Sequence, residues 1–158
     1  MDELSLQMPQ RECRIAIAAA EFNHFIVQQL VDGAFDALKR NGVPDSNITL
    51  AWVPGAFELP LATDVLAASG CHDAVIALGA VIRGGTPHFE YIAGECARGL
   101  AQVGLKQGLP VIFGVLTTDN VDQALERAGS GTGNKGFDTA VAALQMIALL
   151  DRIRAEKN

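Results

Sequence analysis

Four apolar runs alternate with stretches of helical spacing along this chain, and that alternation limits its fold more than any other feature. The runs fall at residues 14–20, 48–53, 71–78 and 110–116, and the third is built around Ala74-Val75-Ile76-Ala77-Leu78. Continuous apolar character marks strands buried on both faces, as in a parallel sheet covered on two sides. Helical patterns follow at 24–41, where Phe25, Leu30, Ala34 and Leu38 share a spacing and Gly42 ends the helix, and at 56–68 and 88–106. Two more, at 121–128 and 137–153, flank the glycine-rich Gly129-Ser130-Gly131-Thr132-Gly133-Asn134-Lys135-Gly136. Strands joined by right-handed helical crossovers predict an α/β fold, a flavodoxin-like three-layer sandwich on a four-stranded parallel sheet. Leu4, Leu6 and Met8 alternate with polar neighbours before Pro9, which predicts a short strand in an N-terminal arm, residues 1–12. That arm strand would pair with a sheet edge, its own or a neighbour's.

A length of 158 residues fits one domain, 1–158, with an ample core. Hydrophobic residues make up 49%, a high share that leaves apolar surface for burial against other copies of the chain. The net charge of −6 argues against nucleic acid or an anionic membrane as a partner. Cys13, Cys71 and Cys96 form an odd set without Cys-x-x-Cys spacing, so reduced thiols in a cytoplasmic protein are expected. Met1-Asp2-Glu3 lacks a basic leader, and no apolar run approaches the ~20 residues that span a bilayer, so no membrane association is expected.

In a parallel α/β sheet, ligands bind beyond the carboxyl ends of the strands. There the chain carries Val81-Ile82-Arg83-Gly84-Gly85-Thr86-Pro87-His88-Phe89-Glu90-Tyr91, between the third strand and the helix after it. Thr86 reads as the helix N-cap and Pro87 as its first residue. Gly84 and Gly85 let backbone N–H groups turn toward a ligand, and the positive end of the helix favours phosphate. His88 falls in the first turn, where the same dipole disfavours an imidazolium and leaves a neutral imidazole able to accept a proton.

Phe22, Pro54-Gly55-Ala56-Phe57-Glu58 and Thr117-Thr118-Asp119 should gather at the same edge. Phe22 and Phe113, at or near strand ends, offer aromatic faces for a planar heterocycle, although taken singly each is more often a core residue. Phe57 by itself reads as core. Arg127 near a helix end suits the dipole, or in a pocket would grip phosphate with two donors, and Lys135 could add a further cation. Gly131-x-Gly133-x-x-Gly136 has the letters of a dinucleotide fingerprint but follows a helix, so it is set aside. His24 and His72 lack metal-ligand spacing, and no metal site is expected. The nucleophile elbow Gly-x-Ser-x-Gly is missing, which removes the usual hydrolase reading.

Six segments taken together resemble the lumazine synthase family. They are Glu21-Phe22-Asn23, Trp52-Val53-Pro54-Gly55-Ala56-Phe57-Glu58-Leu59-Pro60, the run from Gly79 to Tyr91, Phe113-Gly114-Val115-Leu116-Thr117-Thr118, Glu126-Arg127-Ala128-Gly129 and Gly133-Asn134-Lys135-Gly136. The resemblance implies condensation of 5-amino-6-(D-ribitylamino)uracil with 3,4-dihydroxy-2-butanone 4-phosphate to 6,7-dimethyl-8-ribityllumazine, the penultimate step of riboflavin biosynthesis, with no cofactor. It implies that Phe22 stacks on the pyrimidine, that Ala56, Phe57 and Glu58 hold the ribityl chain, and that Ala80, Val81 and Ile82 line the pyrimidine pocket. Gly85, Thr86 and Arg127 match the phosphate site, Lys135 a lysine near it, and His88 the proton-transfer residue. Phe113 is implied to come from an adjacent subunit. The family builds rings of five, some stacked into icosahedral shells, and riboflavin synthase is an implied partner. Gly131 stands where many shell formers carry lysine, which favours the homopentamer over the shell. Two rivals stay open on the residues alone: a flavin- or lumazine-binding module without chemistry, and a phosphosugar isomerase or lyase.

Overall fold

In the computed structural model, which describes residues 1–129 and 133–156, the four runs form one parallel sheet in the order β2-β1-β3-β4. The strands are β1 (Ile15–Ala20), β2 (Ile48–Val53), β3 (Ala74–Ile82) and β4 (Val111–Thr118). Helices α1 (His24–Arg40), α2 (Leu59–Ala68) and α3 (His88–Gln107) are the crossovers, and α4 (Val121–Arg127) and α5 (Lys135–Glu156) follow β4. This is the α/β sandwich read from the alternation, with helices on both faces.

Strand periodicity explains the three layers. Successive side chains of β1 point to opposite faces, and all six of its residues are buried. Ile15, Ile17 and Ala19 pack with Leu30, Ala34 and Leu38 of α1 and Ala140, Leu144 and Ile147 of α5. Ala18 and Ala20 pack on the other side, with Leu59 of α2 and Cys96 and Leu100 of α3. The buried stripe of α1 is Ile26, Val27, Leu30, Val31, Ala34, Ala37 and Leu38, so Phe25 does not belong to it; Phe25 is exposed.

Several bounds differ from the sequence reading: β3 begins at Ala74, β4 ends at Thr118 and α5 begins at Lys135. β3 runs four residues past Leu78, because Gly79 to Ile82 pair with Val115 to Thr118 of β4. The expected helix at 56–68 is split: a single 3-10 turn at Ala56–Glu58 leads into α2, whose first turn holds Pro60, a residue without an N–H to offer the turn before it. The arm forms no strand within its own chain. Leu6 is 61% exposed, and the segment lies along α5, with Arg152 donating to the Ser5 carbonyl at 2.8 Å. Gly131 lies outside the described residues. Among the described residues, no helix is long and apolar enough to cross a membrane.

Candidate active site

The carboxyl ends of β1, β2 and β3 open into a cavity of about 500 Å³. Each side of it is set by local backbone chemistry. Beyond β1, the Glu21 and Phe22 N–H groups donate to the Val53 and Pro54 carbonyls at 2.7 and 3.1 Å, which lays this loop along the exit of β2. Asn23 then takes a left-handed conformation (φ 61°, ψ 40°), one that Asn tolerates better than most residues. Its Nδ2 donates to the Ala80 carbonyl at 2.8 Å and ties the loop to β3. Phe22 is thereby held outward, 71% exposed, with its ring at the cavity.

Ala56, Phe57 and Glu58 form the second side, where the 3-10 turn is closed by Glu58 N–H donating to the Gly55 carbonyl at 3.2 Å. Phe57 is not the core residue it reads as in isolation; it is 59% exposed and lines the cavity. Ala80, Val81 and Ile82 at the end of β3 form the floor, and Gly84, Thr86 and His88 the third side. Phe89 and Ile92 also line it, and the sequence reading missed both. Ile92 was reachable, since i and i+4 positions share a helix face and His88 already pointed there.

At the start of α3 the capping differs from expectation. Pro87 rather than Thr86 holds the N-cap position, with φ −70° and ψ 2°, and no side chain caps the helix. The proline's fixed φ turns the chain one residue later than predicted, and Glu90 N–H closes the turn on the Pro87 carbonyl at 3.1 Å. The first N–H groups of α3 thus lack a side-chain acceptor, the condition for binding an anion there. Neither Gly84 nor Gly85 has a positive φ, and a methyl on either would meet nothing within 4 Å. The turn does not need glycine for its own geometry; the missing side chains leave an open approach. Gly85 itself is exposed beside the lining.

The remaining predicted residues are elsewhere. Phe113, Arg127 and Lys135 line a separate cavity of about 620 Å³, formed by β4, α4 and the start of α5. Thr117, Glu126 and Asp138 join them there. Arg127 donates to the Gln123 carbonyl at 3.1 Å, a bond back along its own helix. The two cavities have no lining residue in common, and the first contains neither lysine nor arginine. One chain therefore divides the predicted site, with aromatic ring, imidazole and anion turn on one side and cations with Phe113 on the other.

Besides the Glu58 carboxylate in its lining, the first cavity has a linked charge cluster beside it. Arg83 bonds Glu90 at 2.6 Å and Asp119 at 3.0 Å. The bond from Arg83 holds the Glu90 carboxyl below its ordinary range. Behind the cavity wall, Cys96 is fully buried and burial alone pushes its thiol up to about 11. On the face of β2 toward α1, His24 meets Glu21 at 3.2 Å and lies 4.7 Å from the Trp52 ring.

Residues 12–151 match the family described as 6,7-dimethyl-8-ribityllumazine synthase. Two proteins of that name, from Edwardsiella ictaluri (strain 93-146) and Sodalis glossinidius (strain morsitans), are each 59% identical to this chain over 145 residues. Each alignment covers 91% of this chain and 93% of the relative. The matched span contains the whole sheet and every residue of both cavities, so fold, site and relatives point the same way: the chain belongs to the 6,7-dimethyl-8-ribityllumazine synthase family, transferases of riboflavin biosynthesis.

Proposed function

We propose that the chain condenses 5-amino-6-(D-ribitylamino)uracil with 3,4-dihydroxy-2-butanone 4-phosphate to 6,7-dimethyl-8-ribityllumazine, releasing phosphate and two waters. The observation that carries this reading is the first cavity, which sets an exposed aromatic ring, a histidine and an uncapped helix start around one space. Phe22 stacks on the pyrimidine, the 56–58 turn takes the ribityl hydroxyls, and Ala80, Val81 and Ile82 border the ring. Gly85, Thr86 and the N–H groups of α3 receive the phosphate. The pyrimidine 5-amine attacks the ketone and loses the first water as the imine forms. Removal of a proton from the neighbouring carbon, which bears a hydroxyl, then expels phosphate and leaves an enol; the enol tautomerises to the second carbonyl, and attack of the ribitylamino nitrogen there releases the other water. His88 moves protons in the first two stages. Holding two substrates together supplies much of the acceleration.

Arg127, Lys135 and Phe113 enter this site from a neighbouring copy, because within one chain they line the other cavity. Whatever brings Phe113 to the pyrimidine brings both cations with it. Leu61 and Val65, one turn apart on α2, are 73% and 62% exposed, and Leu105 of α3 is 87% exposed. Such an apolar surface suits burial in a homo-oligomer, for which a pentamer is our reading, built without cofactor or metal. Three free cysteines fit a cytoplasmic enzyme.

Mixing the purified protein with both substrates and following the fluorescent product tests the reading. Lumazine formation is the expected result. Binding without turnover would indicate a non-catalytic module, and consumption of the butanone phosphate alone an isomerase or lyase.

A further inference from the structure

The connection from β3 to α3 has little of its own to hold it. Among the described residues, no side-chain hydrogen bond falls on residues 84–89, and Gly84 and Gly85 add two freely rotating backbone positions. Ordering such a segment around an anion costs conformational entropy unless its two ends are already fixed. Arg83 fixes both. Its N–H donates to the Thr118 carbonyl at 2.8 Å and its Nε to Asp119 at 3.0 Å, which anchors it to the end of β4. The other arm of the guanidinium reaches past the turn: a terminal nitrogen donates to Glu90 at 2.6 Å, and Cζ lies 4.6 Å from the centre of the Phe89 ring. Phe89 and Glu90 are the two residues directly after His88.

We propose that Arg83 is a positioning residue, a clasp that joins Asp119 to Glu90 and so sets where the 84–87 turn and His88 stand toward the phosphate-bearing substrate. This rests on reading that turn as the phosphate site. Arg83 is not itself the phosphate ligand, since its bonds go to two carboxylates. Its side chain is 47% exposed and those of its partners more so, so the clasp adds little to overall stability and acts on binding and turnover instead.

Glu90→Ala separates a clasp from plain electrostatics, because the two predict opposite signs. Removing a negative charge beside an anion site should tighten phosphate binding if charge alone matters, whereas loss of the clasp weakens it. With the full-length protein, calorimetric titration of inorganic phosphate is expected to show binding weakened roughly three- to tenfold in both Glu90→Ala and Arg83→Gln. The double variant should be within about twofold of the weaker single one, as for residues acting as a unit. KM for the butanone phosphate should rise in parallel, while KM for the pyrimidine stays within about twofold. Unchanged thermal midpoints would keep these effects apart from unfolding. If phosphate binds the wild type but binds Glu90→Ala equally or more tightly, or if Glu90→Ala restores binding to Arg83→Gln, the clasp is wrong and the phosphate site stands. If the wild type binds no phosphate, the site reading fails and the clasp with it.

Discussion

His88 has no hydrogen-bond partner among the described residues, so both ring nitrogens are available to substrate. Replacing it leaves the Phe22 ring and the uncapped start of α3 in place. We expect His88→Ala to lower kcat about a hundredfold with KM values changed less than about threefold, because proton transfer is lost while positioning survives. Steady-state fluorescence of the product measures both, and an unchanged kcat would remove His88 from the chemistry. Cys96 makes a second prediction. Its thiol, raised by burial to about 11, holds its proton in the folded chain after an unfolded chain has released one near pH 9. The folded state then binds more protons than the unfolded, so stability falls as pH rises from about 9 toward 11. Urea unfolding across that range should show a decline on the order of 2 kcal/mol that Cys96→Ala lacks. Phe57 shows where residue-level reading stops: an aromatic after a Pro-Gly turn reads as core, and only the 3-10 turn sets it at the cavity instead.

The sheet was legible because buried parallel strands leave continuous apolar runs, and all four fall where those runs are. The end of β3 was not, because Gly79 to Ile82 are held as strand by partners more than thirty residues away on β4. The alternation at Leu4, Leu6 and Met8 is a strand pattern without a partner in its own chain, since pairing requires an edge that brings one. Asn134 was equally silent. One side chain donates to the Gln29 carbonyl at 2.9 Å and the Ala128 carbonyl at 2.8 Å and accepts from Phe137 N–H at 3.0 Å, which joins α1, α4 and the start of α5. Asn134→Ala removes a cap and strands two carbonyls, and should cost about 1–3 kcal/mol by chemical denaturation. A loss below a few tenths would mean that water replaces all three bonds. Gly136 lies where a methyl would run into the Leu30 carbonyl, so the closeness of α1 and α5 also depends on that position.

For the molecule as a whole, the sequence named the candidate site residues and, through the resemblance, set Phe113 on another subunit, but it did not group Arg127 and Lys135 with Phe113. Strand ends predict one edge, yet Phe113, Arg127 and Lys135 are off that edge, in a cavity beside β4. Under the proposed pairing of cavities between copies, His88→Ala and Arg127→Ala damage different halves. Dissociated together and reassembled, the two variants should recover about a quarter of wild-type activity, since in a head-to-tail ring about one junction in four joins both intact halves. Activity no higher than the two variants measured apart would place the whole site in one chain. Under the same proposed pairing, the divided cavities also govern dosage. Where every reacting centre draws on two polypeptides, output follows the square of the intact fraction, so a population diluted with copies damaged in both halves loses capacity nearly twice as fast as it loses good chains. Small losses of chain quality then weigh more on flux than they would for an enzyme complete in each molecule.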